Sequence, residues 1–110
     1  MKFRLNLKRL LRKRKKKYHC MFVEETPNKF QAYVVYVVTN QSYPWEIVMI
    51  CPCGCNKVLF LNLLKEVHPH WTFEVDKTDL ISIRPSVHRT VGCRSHFYLT
   101  KGEILWCSRR

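Results

Sequence analysis

The chain has 110 residues and 13.3 kDa, with 46% hydrophobic and 13% aromatic residues and a formal net charge of +12. That apolar content excludes an intrinsically disordered chain, and no apolar run approaches the roughly 20 residues of a membrane-spanning helix. The charge is uneven: residues 1–17, "MKFRLNLKRLLRKRKKK", hold ten of the twenty Lys and Arg and none of the eight acids, which leaves a net +2 on residues 18–110.

The basic arm has two readings. Leu5, Leu7, Leu10 and Leu11 among Lys and Arg could form an amphipathic helix for nucleic acid or an anionic membrane. Alternatively the arm is a solvated tail that attracts polyanions without specificity. We adopt the second reading, with the arm docking on a partner, nucleic acid bound only non-specifically, and no membrane. The basic stretch is followed by "YHCMFVEE" and not by an apolar h-region, so it is not read as a secretory signal. The chain is therefore expected in the cytoplasm, where clustered cysteines are metal ligands or reactive groups more often than disulfides.

Residues 18–110 are read as one domain. "CMFVEETPNKF" is a short extended segment ended by a turn at Pro27 and Asn28, and "QAYVVYVVTN" is a buried Val/Tyr strand. After the turn "NQSYP", the strand "WEIVMI" runs into Cys51 and "KVLFLNLL" returns, a hairpin with cysteines at its tip. "LNLLKEVH" is the one segment of the body with a hint of helical periodicity. "WTFEVD" alternates as a half-buried strand, "LISIRPSVHR" follows the turn at Lys77 to Asp79, and "GCRSHFYLTKGEILWC" is a hairpin turning at Lys101-Gly102. The expected fold is mainly β: one small domain of short antiparallel strands, stapled by a cysteine-ligated zinc.

"CPCGC" places Cys51, Cys53 and Cys55 within five residues. A tetrahedral zinc needs four donors brought together by chain reversals. Pro52 stiffens such a turn, and Gly54 permits the positive φ that aims backbone N–H groups at sulfur. The remaining donors are expected from the last hairpin, at Cys93 and Cys107. A three-residue loop with Gly102 in the left-handed region sets Ser95 opposite Cys107 and puts both thiols on one face. A two-residue turn instead sets His96 opposite Cys107 and makes His96 the ligand candidate. We expect the first register. Cys20, isolated, is taken as a small buried side chain.

Two serines lie near histidines, Ser86 and His88 in "RPSVH" and Ser95 and His96 in "CRSHF". A nucleophilic serine needs an imidazole within about 3 Å and a group that orients the ring. Neighbours in a strand face opposite ways, so Ser95 and His96 serve each other poorly, whereas Ser86 and His96 from adjacent strands can meet. Asp79 or Glu103 could orient the ring, but neither spacing singles one out. On residue types alone a histidine in a strand is ordinarily structural and a serine after proline ordinarily marks a turn.

Order adds to content. The succession "FVEETP", a Val/Tyr strand, "CPCGC", "WTFEVD", "PSV" and "GCRSHFYLTKGEILWC" resembles, over about residues 20 to 107, a small bacterial family long labelled only as a domain of unknown function and accompanying ubiquitin-like conjugation operons. The resemblance implies a compact, zinc-stabilised β peptidase working beside a ThiF-type activating enzyme and a conjugating enzyme. Its substrate would be a ubiquitin-like protein, cleaved after its C-terminal tail. On the matching motifs, Ser86 is the nucleophile and His96 the general base, with Ser95 in reserve. The structural zinc is assigned to Cys51, Cys53, Cys55, Cys93 and Cys107, one of the turn cysteines being left over. Backbone N–H groups from Gly92 to Arg94 are the expected oxyanion donors. The chain departs from the family at Arg84, often serine, and at Asn56, commonly glycine. If only three protein ligands bind, a metallohydrolase remains open; a non-catalytic zinc adaptor of a conjugation complex and a nucleic-acid-binding zinc module are the readings from other classes.

Overall fold

The computed structural model describes residues 16–107, so the arm from Met1 to Lys15 lies outside the described residues. Eight strands follow in order: β1 (His19–Val23), β2 (Val34–Asn40), β3 (Tyr43–Ile50), β4 (Val58–Asn62), β5 (Thr72–Val75), β6 (Ile81–His88), β7 (His96–Thr100) and β8 (Glu103–Trp106). They form two four-stranded sheets ordered β1-β2-β3-β4 and β5-β6-β7-β8. All neighbours are antiparallel except β1 and β2, which run parallel.

Alternation fixes which faces meet. Val35 and Val37 of β2, Ile47 and Met49 of β3, and Leu59 and Leu61 of β4 share one core with Ile81, Ile83 and Val87 of β6 and Phe97 and Leu99 of β7. The two sheets thus pack face to face. The opposite face of β2, Tyr36 and Val38, is also buried because Phe30 from the β1–β2 connection covers it. This explains the unbroken apolar run of β2, which a strand buried on both faces permits.

Short turns set the registers. The β2–β3 turn is Gln41-Ser42, both at positive φ, as a type I′ hairpin requires. The β7–β8 turn likewise pairs Thr100 with Glu103, with Lys101 at φ 47° and Gly102 at φ 78°. It is a two-residue turn, not the three-residue loop expected from the sequence. Gly102 is fixed there by crowding as well as by φ: a Cβ would stand 2.8 Å from Leu80 Cδ2 and 2.9 Å from the Tyr18 carbonyl.

No helix occurs among the described residues, and "LNLLKEVH" ends β4 and enters a turn-rich loop. The Asn62 amide is the reason. Its Nδ2 donates to the carbonyls of Leu64, Val67 and Pro69, each at 3.1 Å, while its Oδ1 accepts from the Leu64 N–H at 3.0 Å. Local bonds of this kind compete with helix formation. The segment between β4 and β5 becomes a pinned loop that delivers Trp71 to the second sheet.

Candidate active site and metal centre

The first centre is built by the β3–β4 hairpin tip and the β6–β7 connection. Cys51 N–H donates to the Lys57 carbonyl at 2.8 Å and closes the tip. Inside the tip Gly54 takes φ 97° and Asn56 φ 66°, the left-handed region that glycine and asparagine tolerate best. Asn56, where the resemblance implied glycine, thus takes a left-handed backbone conformation that glycine also adopts readily. The Sγ atoms of Cys51, Cys53, Cys55 and Cys93 all lie within 4.8 Å of one another. Cys51 Sγ is 3.6 Å from that of Cys53 and 3.7 Å from that of Cys93. A tetrahedron of sulfurs about 2.3 Å from a zinc ion has edges of about 3.8 Å, so the donor set and spacing fit a four-coordinate metal ion.

Polar groups around the sulfurs favour thiolates. Cys93 Sγ receives the Ser95 hydroxyl at 3.1 Å and Arg89 Nη1 at 3.1 Å, and Arg89 Nη1 is also 3.6 Å from Cys55 Sγ. The Ser95 hydroxyl, helped by the Ser95 backbone N–H, draws the Cys93 thiol down to about 5, and the hydroxyl lowers Cys53 as well. Cys51 is only 2% exposed, and burial pushes its thiol up to about 11.

All three turn cysteines and Cys93 belong to this group, and Cys107 does not. The two-residue turn is the reason. Cys107 N–H donates to the His96 carbonyl at 2.9 Å, so Cys107 stands opposite His96, on the outer side of the sheet, while Ser95 faces inward at 3% exposure. One residue of register separates the observed arrangement from the expected one, and it moves Cys107 to the far face. His96 is not in the thiol group either. Ser95, the reserve nucleophile, has its hydroxyl against Cys93 and Cys51, where it serves the sulfurs.

The second centre lies on the outer face of the second sheet. Ile83 pairs with Leu99 and Val87 with Phe97, so Arg84, Pro85 and Ser86 together oppose Tyr98 alone. Two inserted residues keep the alternation: Ile81, Ile83 and Val87 all face the core, whereas a single insertion would have turned Val87 outward. Bulges re-aim side chains, and here Ser86 Oγ comes to 3.0 Å from His96 Nε2. With the ring proton on Nδ1, the serine hydroxyl donates to Nε2. Arg84 stitches the bulge, its Nη1 donating to the Ile83 carbonyl at 2.8 Å and the Leu99 carbonyl at 3.1 Å. Trp71 Nε1 donates to the Ser86 carbonyl at 3.2 Å.

Neither Asp79 nor Glu103 orients His96. Asp79 lies in the turn before β6, where its carbonyl accepts from the Cys20 N–H at 2.8 Å, at the opposite end of that strand from Ser86, and Glu103 pairs with Lys17 at 3.5 Å at the hairpin end. Of the expected oxyanion donors, Arg94 already gives its N–H to the Val91 carbonyl at 3.4 Å. Sequence reasoning did not find Arg84, Arg89 and Trp71 as supports for the two centres. Only Arg84 carried a signal, as a departure beside the Pro-Ser pair.

The β domain thus presents a serine–imidazole pair beside a cluster of four thiols able to hold a metal ion. The family of the bacterial ubiquitination-like system serine protease (BubE) matches residues 22–107, and the chain belongs to that family. No curated protein and no solved structure matches the chain.

Proposed function

We propose that the chain is a cytoplasmic serine peptidase that cleaves after the C-terminal tail of a bacterial ubiquitin-like protein, maturing a precursor or releasing a conjugate. Its partners would include a ThiF-type activating enzyme and a conjugating enzyme, in keeping with the family's place in ubiquitination-like systems. The observation that carries the reading is the 3.0 Å contact between Ser86 Oγ and His96 Nε2, within the reach that proton transfer needs. Ser86 Oγ attacks the scissile carbonyl as His96 Nε2 takes its proton. His96 then gives that proton to the leaving amine, and water, deprotonated by the same nitrogen, hydrolyses the acyl-enzyme.

The thiol centre is proposed to hold structural zinc. Four sulfur ligands close the coordination sphere, which favours a clamp over a metallohydrolase. Its place beside the active site follows from the sheet: the Arg89 N–H donates to the Ser95 carbonyl at 2.8 Å, on the rung next to the His88–His96 pair. Both side chains of that rung bind sulfurs, so the metal centre anchors the end of the strands that carry the dyad.

Labelling with a fluorophosphonate and peptide mapping tests the proposal. A single adduct on Ser86, lost in His96→Ala, is the expected result. A folded, metal-loaded protein that takes no label on Ser86, and whose Ser86→Ala variant processes a ubiquitin-like precursor as well as wild type, would overturn it and leave the adaptor reading.

A further inference from the structure

A serine–histidine pair needs something to hold the imidazole, and among the described residues no carboxylate hydrogen-bonds His96. What meets its ring is another histidine. His88 and His96 stand directly opposite each other, in a pair whose neighbours, Arg89 and Ser95, carry the backbone bond. Such a pair, with no backbone bonds between its own two residues, brings opposed side chains closest together in an antiparallel ladder. The two rings stack with centroids 4.2 Å apart and 15° between planes.

We infer that His88 is the positioning residue of the dyad, its ring forming the flat wall that fixes the His96 imidazole with Nε2 turned to Ser86 Oγ. This inference rests on the reading of Ser86 and His96 as nucleophile and base. Ser86 and His88 are two apart in β6 and share its outer face, so one strand supplies the nucleophile and the wall, and the adjacent strand supplies the base between them. Stacking limits rotation about the His96 ring torsion, which otherwise has a broad, roughly two-fold profile. The wall acts by its plane and not by its nitrogens, so another flat ring should serve. His88 itself is exposed and plays no part in the core, so its replacement should spare the fold.

The test is the fluorophosphonate reaction resolved into its binding and bond-forming constants, together with the ring-nitrogen NMR signals of His96. In wild type, labelling of Ser86 establishes the underlying reading by itself. His88→Ala is then expected to slow the bond-forming constant about 10–100-fold, as misplacing a catalytic group does, with the binding constant, the melting temperature and the metal content unchanged. His88→Phe is expected to restore the rate to within a few-fold. The His96 ring should show one tautomer in wild type and in His88→Phe, and an averaged signal in His88→Ala. An alanine variant that labels at the wild-type rate overturns the inference. So does a phenylalanine variant as slow as the alanine one, since the nitrogens would then matter. Wild type that fails to label would sink the peptidase reading instead, while the NMR comparison would still report whether His88 orders the ring.

Discussion

Replacing Arg89 with Met tests whether the thiol centre is tuned by charge as well as by geometry. Four thiolates around a divalent ion carry a net charge of −2, and one guanidinium nitrogen lies 3.1 Å from Cys93 Sγ and 3.6 Å from Cys55 Sγ. Arg89 →Met keeps most of the aliphatic stem and removes the donor and the charge. Partners of this kind around a metal site are commonly worth 10–100-fold in affinity, and a fall of about that size in zinc affinity is expected, read by competition with a chromophoric chelator. Arg89→Lys should recover part of the loss, because an ammonium supplies the charge without the rigid fork. The loss should shrink at high salt, since Arg89 is only half-buried. An affinity unchanged in Arg89→Met, measured on a protein shown to be folded and fully loaded, would refute the charge argument.

Other consequences follow from the same geometry. Cys107→Ser should keep its full metal content, whereas Cys93→Ser should lose affinity; elemental analysis of the two variants tests the observed turn register against the one expected from sequence. Loading the metal at pH 7 should release at least one proton but fewer than four. Cys51, pushed up to about 11, is protonated at that pH, while Cys93, drawn down to about 5, is already a thiolate. Metal affinity should accordingly fall as pH drops, and calorimetry in buffers of different ionisation enthalpy counts the protons; release of none or of four would contradict the assigned directions. Asn62→Ala should cost about 0.5–1.5 kcal/mol, the net worth of an ordinary hydrogen bond, because the bonds to the Val67 and Pro69 carbonyls are exposed and water can replace the donor; with the Trp71 bond to Ser86 loosened, it should also slow labelling of Ser86, and denaturant titration and the probe measure the two effects.

The strands were legible because their signals are local. "VVYVV", "WEIVMI" and "FEV" carry the branched and aromatic content that strands favour, and positive-φ turn residues punctuate them. The thiol tip was legible for the same reason: Pro52, Gly54 and three cysteines lie within five residues. What sequence misplaced depends on counting across a turn. Lys101-Gly102 fits both a two-residue and a three-residue loop, and the choice between them decides whether Ser95 or His96 faces Cys107. Local composition has no means of choosing; the packing of Gly102 against Leu80 and Tyr18 does.

The dyad shows the same limit from another side. Had β6 and β7 stayed in simple register from Ile83 and Leu99, Ser86 would lie directly opposite His96 and the two would meet without any bulge. The extra pair of residues instead slides His88 into that place and leaves Ser86 on the diagonal, still 3.0 Å from Nε2. A reading that places Ser86 near His96 is therefore reached by either register, while the stacked His88 is reached only by the bulged one. Pro85 hints at the irregularity, since proline lacks the N–H that a ladder uses, but it does not say how many residues the bulge holds. An even number keeps Val87 in the core, and the demand for an unbroken apolar face is what ties the placement of His88 to the folding of the sheet.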